Sequence, residues 1–162
     1  YTGAGIKEIK DDMDLTRRNQ PSAGARFPIE IYVISLNCSK LNRGIYHYNV
    51  KQNTLECLKN NITKKELKRF FDQPWMFDSA CIILLSGVFG RTNIKYRERG
   101  YRYILFEAGH VAQNISLIAT SIGLGSCCIG GFDDNKVNEA LDIKEYNEAA
   151  LYALVVGNVA RN

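Results

Sequence analysis

No apolar run in this sequence approaches the roughly 20 residues that a membrane-spanning helix needs. Runs such as Ala80 to Leu85 have strand length. The start, YTGAGIKEIKDDMD, has no basic segment followed by an apolar core, so a secretory signal is not expected. No CxxC occurs, and the only two histidines, His47 and His110, lie far apart, so no metal site is expected. Cysteine is sparse and odd in number: Cys38, Cys57, Cys81, Cys127 and Cys128. Without a paired framework these imply reduced thiols and a cytoplasmic setting. Cys81 sits in an apolar strand and reads as core. The adjacent Cys127 and Cys128 point to opposite sides of a strand, where a disulfide between them would be strained. The formal charge of +4 is spread along the chain. Lys64, Lys65, Lys68 and Arg69 have only Trp75 near them, so they read as the solvated face of a helix, and nucleic acid is not an expected partner. A modest positive excess does suit an anionic cofactor or a peptide. Internal repeats, low-complexity tracts and linkers are also missing, which leaves one domain with one sizeable core.

What is present alternates between strand and helix patterns. Ile29 to Leu36 is only half alternating, which suggests a strand buried on both faces. Asn42-Arg43-Gly44 turns into a strand over Gly44 to Tyr48, and Gln52-Asn53 turns into Leu55 to Leu58, so this part reads as a meander. Thr63 with Glu66 three residues later forms a capping box for a helix to about Phe71, which Pro74 ends. Ala80 to Leu85 is a buried strand. The basic segment Arg91 to Arg102 leads into the clearest helix, striped by Leu105, Ala108, Val111, Ala112, Ile115, Ile118, Ala119 and Ile122. Gly123 and Gly125 stop it. Ser126 to Ile129 is a short strand, Asp133 or Asp134 caps a helix to about Leu141, and Ala150 to Val156 is the last strand. The whole is an α+β domain.

Three segments are not explained by packing alone, although the first also reads as an ordinary turn and the third as a solvated helix start. Pro21-Ser22-Ala23-Gly24-Ala25 has side chains small enough to let backbone approach a flat ligand, with Ser22 as donor or acceptor. Gly123 to Gly131 holds four glycines around a short strand, leaving main-chain amides open to a heterocycle. These glycines follow a helix instead of joining a strand to one, which excludes a dinucleotide fingerprint. Lys95 to Tyr103 offers Lys and Tyr as acid/base groups, and Arg97, Arg99 and Arg102 could bind an anion or pair with Glu98 and Glu107. His110, on a helix, reads as structural.

The order of these segments is more specific than any one of them. RRNQPSAGARFPIEIYV, then GIYHYN, then YRERGYRYILFEAGHVAQNISLIATSIGLGSCCIGGFDD, then EAALYALVVG resembles the body of the SagB-type dehydrogenases, from about Arg17 to Gly157. These belong to the FMN-dependent nitroreductase-like superfamily and oxidise thiazoline and oxazoline rings in peptides. The resemblance implies one nitroreductase-like domain over residues 1–162, a central sheet flanked by helices, and an intertwined homodimer with FMN at the subunit interface. It places Pro21, Ser22, Ala23 and Gly24 against the flavin ring and Ile129, Gly130 and Gly131 at its other edge. It makes the helix over Glu107 to Ile122 the central dimer helix, with Arg17 and Arg18 as candidates for the phosphate or ribityl chain.

The family's Lys-Tyr pair ahead of the central helix is matched by Lys95 and Tyr96, one of which would take a proton while the flavin takes a hydride and oxygen reoxidises it. Synthetase-complex proteins would be further partners. Three positions depart from the pattern: an Arg-Arg-Ser segment has no counterpart before Tyr1, Arg26 replaces an apolar residue, and no Pro follows Gly157, although Arg161 could reach phosphate. Two alternatives stay open: a nitro- or quinone-reducing flavoenzyme with a nicotinamide donor, and a flavin-free member that binds a leader peptide or scaffolds a complex.

Overall fold

The computed structural model describes residues 3–8, 17–144 and 146–159. Two short strands, β1 (Ile6–Glu8) and β2 (Arg17–Arg18), pair antiparallel near the start. The remaining strands are β3 (Ile29–Ser35), β4 (Gly44–Asn49), β5 (Thr54–Asn60), β6 (Cys81–Val88), β7 (Leu124–Ile129) and β8 (Glu148–Asn158). They form one antiparallel sheet in the order β5-β4-β3-β6-β8-β7. The helices are α1 (Lys64–Phe70), α2 (Phe89–Tyr96), α3 (Arg99–Ser121) and α4 (Asp134–Ala140).

Period-two side-chain alternation sends each central strand into two cores. Tyr32 and Ile34 of β3, with Ile82 and Leu84 of β6, pack beneath α1 and α4. Ile29 and Ile31 of β3, with Leu85 of β6, pack beneath α3. The half-alternating pattern of β3 therefore does mark burial on both faces. Close approach of α3 is set by Gly87, where a Cβ would stand 2.7 Å from both Ile104 and Leu151.

The capping box at Thr63 forms as the spacing implies: Thr63 Oγ1 accepts from the Glu66 amide at 3.2 Å, and Glu66 Oε2 accepts from the Thr63 amide at 2.8 Å. Lys64, Lys65, Lys68 and Arg69 lie on the exposed face of α1. Asp133 is the N-cap of α4, accepting from the Lys136 amide.

Several expectations need correction. Pro74 does not end α1, which stops at Phe70; it opens a 3-10 turn over Pro74–Asp78. The basic segment before the long helix is itself helical as α2, and the chain breaks at Arg97, whose φ is +50°. Of the long helix's stripe, Ala108, Val111, Ala112 and Ala119 are buried, but Leu105, Ile118 and Ile122 are exposed and Ile104 takes the core position. Apolar residues extend around more of α3 than one sheet can cover. Gly123 turns the chain with φ +79°, whereas Gly125 already belongs to β7. Cys127 and Cys128 are both exposed because β7 is an edge strand. Cys81 is half-buried, and burial and its neighbour Cys38 push its thiol up to about 12.

Candidate functional site

The loop after β2 is built from unusual backbone. Gly24, Ala25 and Phe27 have φ of +60°, +54° and +46°. Two of these carry a Cβ, a conformation that costs on the order of 1–3 kcal/mol each and persists only where surroundings enforce it. The enforcing contacts are visible. Ser22 Oγ accepts from the Phe27 amide at 2.8 Å, the Ala25 and Arg26 amides return to the Ser22 and Ala23 carbonyls, and the Arg18 guanidinium lies 4.5 Å over the Phe27 ring. Arg91 of α2 donates to the Phe27 carbonyl at 3.1 Å.

The structure brings Lys95 and Tyr96 to this loop. A Cβ on Gly24 would stand 2.7 Å from Tyr96 Oη and 2.9 Å from Lys95 Nζ, so only glycine leaves room for both end groups. The Tyr96 ring packs edge-on against Tyr103, centroids 4.9 Å apart, which fixes its direction.

Beside the loop lies a cavity of about 290 Å³, lined by Pro21, Ser22, Ala23, Tyr103, Phe106, Glu107 and His110. Glu107 is only 2% exposed, and burial pushes its carboxyl up to about 6, although Ser22, Gln20 and Arg18 oppose the shift. Gln20 Nε2 donates to Glu107 Oε1 at 3.2 Å. Glu107 is thus a loop partner on the inner side of α3, and not the expected partner of Arg97, Arg99 or Arg102. His110 is exposed at the cavity and not packed as a structural histidine.

The other proposed contacts fall elsewhere. Arg18 is half-buried; its Nε is buried without a partner, and desolvation lowers its pKa. Arg17 pairs with Glu8 in the β1–β2 register and is exposed. Ile129 packs against the α1/α4 core, Gly130 has nothing within 4 Å of its Cβ position, and at Gly131 only Gln73 Nε2 comes near, at 3.9 Å. None of these three lines the cavity beside the loop. Arg161 lies outside the described residues. No group of three metal-ligating side chains stands together among the described residues, and no helix there is long and apolar enough to cross a membrane.

The profile of the nitroreductase family matches residues 4–158. The chain belongs to the nitroreductase family. It is 37% identical over 127 residues to a nitroreductase-type protein of Methanocaldococcus jannaschii, covering 78% of this chain and 64% of that one. It is 30% identical over 160 residues to the microcin B17-processing protein McbC of Escherichia coli, covering 91% of this chain and 57% of that protein. Among solved structures it resembles the E. coli microcin synthetase McbBCD complex with truncated pro-MccB17 bound, with a TM-score of 0.78, 26% identity, and coverage of 99% of this chain and 61% of that chain. The chain therefore spans roughly three-fifths of the length of these relatives.

Within this nitroreductase-family fold, three residues escaped the sequence reading as site components. Gln20 and Glu107 become partners only because α3 packs behind the loop, at a sequence separation of 87. Arg91 stood unremarked within a basic segment; its position four residues before Lys95, on the same helix face, was the available signal.

Proposed function

We propose that this chain is an FMN-dependent oxidoreductase of the azoline-oxidising, SagB-type branch, acting on a peptide as a homodimer. The observation that carries the reading is the convergence of Lys95 Nζ and Tyr96 Oη on Gly24 in the serine loop, where they come within 3 Å of the point a Cβ would occupy. It sets two candidate acid/base groups directly on the serine loop, beside the cavity that Ser22 lines.

The residues fit FMN. Gly130 leaves main chain uncovered, and the buried Arg18 Nε lacks an acceptor that an anionic or carbonyl-bearing ligand would supply. Pro21 to Gly24 would face the ring, Ile129 to Gly131 its edge, and Arg17 and Arg18 the ribityl phosphate. The serine loop meets α2 and α3, whereas Ile129 packs in the α1/α4 core. Two copies, with Leu105, Phe106 and Leu117 of α3 facing a partner, would let one ligand meet both sets.

FMN, when bound, supplies a hydride acceptor. Aromatising an azoline removes a hydride from one ring carbon and a proton from its neighbour, so a protein base must take the proton. Lys95 and Tyr96 are the candidates, and the cavity beside Ser22 would receive the flanking peptide. The relationship to a microcin-processing protein supports a peptide substrate, and the bound pro-peptide complex supports synthetase partners.

The test is a spectrum and two variants. Flavin bands, or their appearance on adding FMN, are expected. Lys95→Ala with Tyr96→Phe should abolish azole formation from an azoline peptide, by about 100-fold or more, as loss of a general base does, while FMN stays bound. Undiminished turnover in the double variant would overturn the assignment. NADH-driven reduction of nitro compounds with no azoline oxidation would instead favour the general reductase.

A further inference from the structure

Phe27 is pinned from both ends, and one pin leads away from the cavity. Ser22 holds its amide; Arg91 Nη1 holds its carbonyl at 3.1 Å and also reaches Glu30 Oε1 at 2.5 Å. The second oxygen of Glu30 lies 2.9 Å from His47 Nε2, and His47 Nδ1 lies 3.3 Å from Glu56 Oε2. The Glu30 side chain is only 15% exposed. A contiguous chain of charged groups thus runs from β5 through β4 and β3 to α2, and ends on the carbonyl that closes the serine loop. Arg91 and Lys95 stand four residues apart on α2, so one helix face both clamps the loop exit and covers Gly24.

We propose that Arg91, oriented by the Glu30–His47 pair, is the positioning residue that locks the serine loop in register with Lys95 and Tyr96. The chemistry of the groups fits that task. A guanidinium presents several donors in a fixed plane and can hold a carboxylate and a carbonyl together; an ammonium is a compact point charge and holds the pair less well. His47 faces a carboxylate at each nitrogen, and only the imidazolium donates at both. The groups facing it are Glu30 and the Tyr32 ring from β3 and Glu56 from β5. Glu30 in turn feels Arg91 and Arg18. Burial works against the Glu30 carboxylate, yet His47 and Arg91 hold it below the ordinary range. His47 is raised above its ordinary value, chiefly by the bond to Glu30. Deprotonating His47 removes one donor from the chain and loosens the anchor of Arg91.

The inference rests on the flavin reading only for its second readout. The first is hydrogen exchange at the Phe27 amide in flavin-free protein, corrected for intrinsic rates and compared with Tyr32 and Leu84 in the central strands. Arg91→Ala should lower protection at Phe27 by roughly tenfold, the usual effect of losing a charge-assisted bond, with the strands unchanged. Arg91→Lys should restore part of it. In the wild type, protection at Phe27 should fall as pH rises through the raised His47 value, whereas His47→Gln should give a flat profile. The second readout is FMN affinity, expected to weaken by roughly tenfold in Arg91→Ala for the same reason. Phe27 protection unchanged in Arg91→Ala would overturn the proposal. Should that variant not fold, equal protection in Arg91→Lys and wild type, with a pH profile untouched by His47→Gln, would do so. A wild type that ignores FMN while Arg91→Ala loosens Phe27 would sink the flavin reading and leave this one standing.

Discussion

The two faces of the central sheet are covered by different kinds of layer. On one, α1, the Pro74–Asp78 turn and α4 close over Phe71, Met76, Ile82 and Leu84, and the outer surface of α1 is Lys64, Lys65, Lys68 and Arg69. That layer ends at water. On the other, α3 buries Ile104, Ala108, Val111 and Ala112 against the sheet and turns Leu105, Phe106, Leu117, Ile118 and Ile122 outward. Leu117 is 59% exposed and Phe106 56%. A helix apolar on both sides leaves a large exposed patch of the kind that the proposed dimer would cover. The strained loop, the Lys95–Tyr96 pair and the buried Glu107 all gather at this second layer. One face of the sheet supplies a finished core, and the other supplies a half-finished surface with the chemistry beside it.

The largest effect should come from charging the unfinished surface. If the outer face of α3 is the proposed dimer contact, Leu117→Glu buries an unpaired carboxylate twice, once per copy, and the assembly should fall apart. Sedimentation should then report a mass of 18.3 kDa instead of twice that value. FMN affinity should drop with it, because the ring contacts would come from two copies. Lys65→Glu on the outside of α1 should change neither. Equal masses for wild type and Leu117→Glu would show that the two layers do not differ in this way.

What was legible in the sequence follows the same division. The α1 side obeys local rules: the capping box, the basic outer face and the buried strand at Cys81 were all readable, because each depends on neighbours within a few residues. The serine loop and the Lys-Tyr pair were readable as segments through their motif order. Their meeting at Gly24 was not, since residues 24 and 95 are joined only by the packing of α2. Glu107 was misplaced for the same reason. A glutamate preceded by basic residues looks like a surface ion pair until the fold puts Gln20 and Ser22 in front of it. The apolar residues of α3 were read as one stripe, although they divide between a buried face at Ala108, Val111 and Ala112 and an exposed one at Leu105, Ile118 and Ile122. Periodicity shows how much apolar surface a helix has but not which part the sheet covers, and the reading of this helix as a dimer helix came from the resemblance alone.

Two glutamates, one per layer, sharpen the comparison through pH. Burial raises Glu107 from its ordinary value to about 6. Its ionisation is therefore unfavourable in the folded state. The protonated form contributes stability that is present below the unfolded pKa and is lost as pH rises through about 6, with a total of about 2 kcal/mol. Glu66 goes the other way. Lys59, 2.5 Å away, and the Thr63 cap hold it down at about 2, so its contribution is present above the unfolded value and is lost as pH falls toward 2. In thermal melts, Glu107→Gln should therefore gain on wild type between about pH 4.5 and pH 6 and stay level above that. Glu66→Gln should lose its disadvantage only in acid. Parallel profiles for Glu107→Gln and wild type would mean that the cavity is wetter than its buried carboxylate implies.

The smallest effect expected is at the α1 cap. Thr63→Ala removes the oxygen that accepts from the Glu66 amide, and such losses cost about 1 kcal/mol, or roughly 2–4 °C in Tm for a chain of this size. The value of this variant lies in what should not move. The cap faces solvent beyond the α1/α4 core, on the other side of the sheet from Gly24, Lys95 and Tyr96, and no hydrogen bond of Thr63 leads toward the serine loop. FMN affinity and the pH profile at Phe27 should equal those of wild type while Tm falls. If Thr63→Ala instead weakened FMN as much as it lowered Tm, the two layers would be one cooperative unit. The division between a face that stabilises and a face that acts would then be wrong.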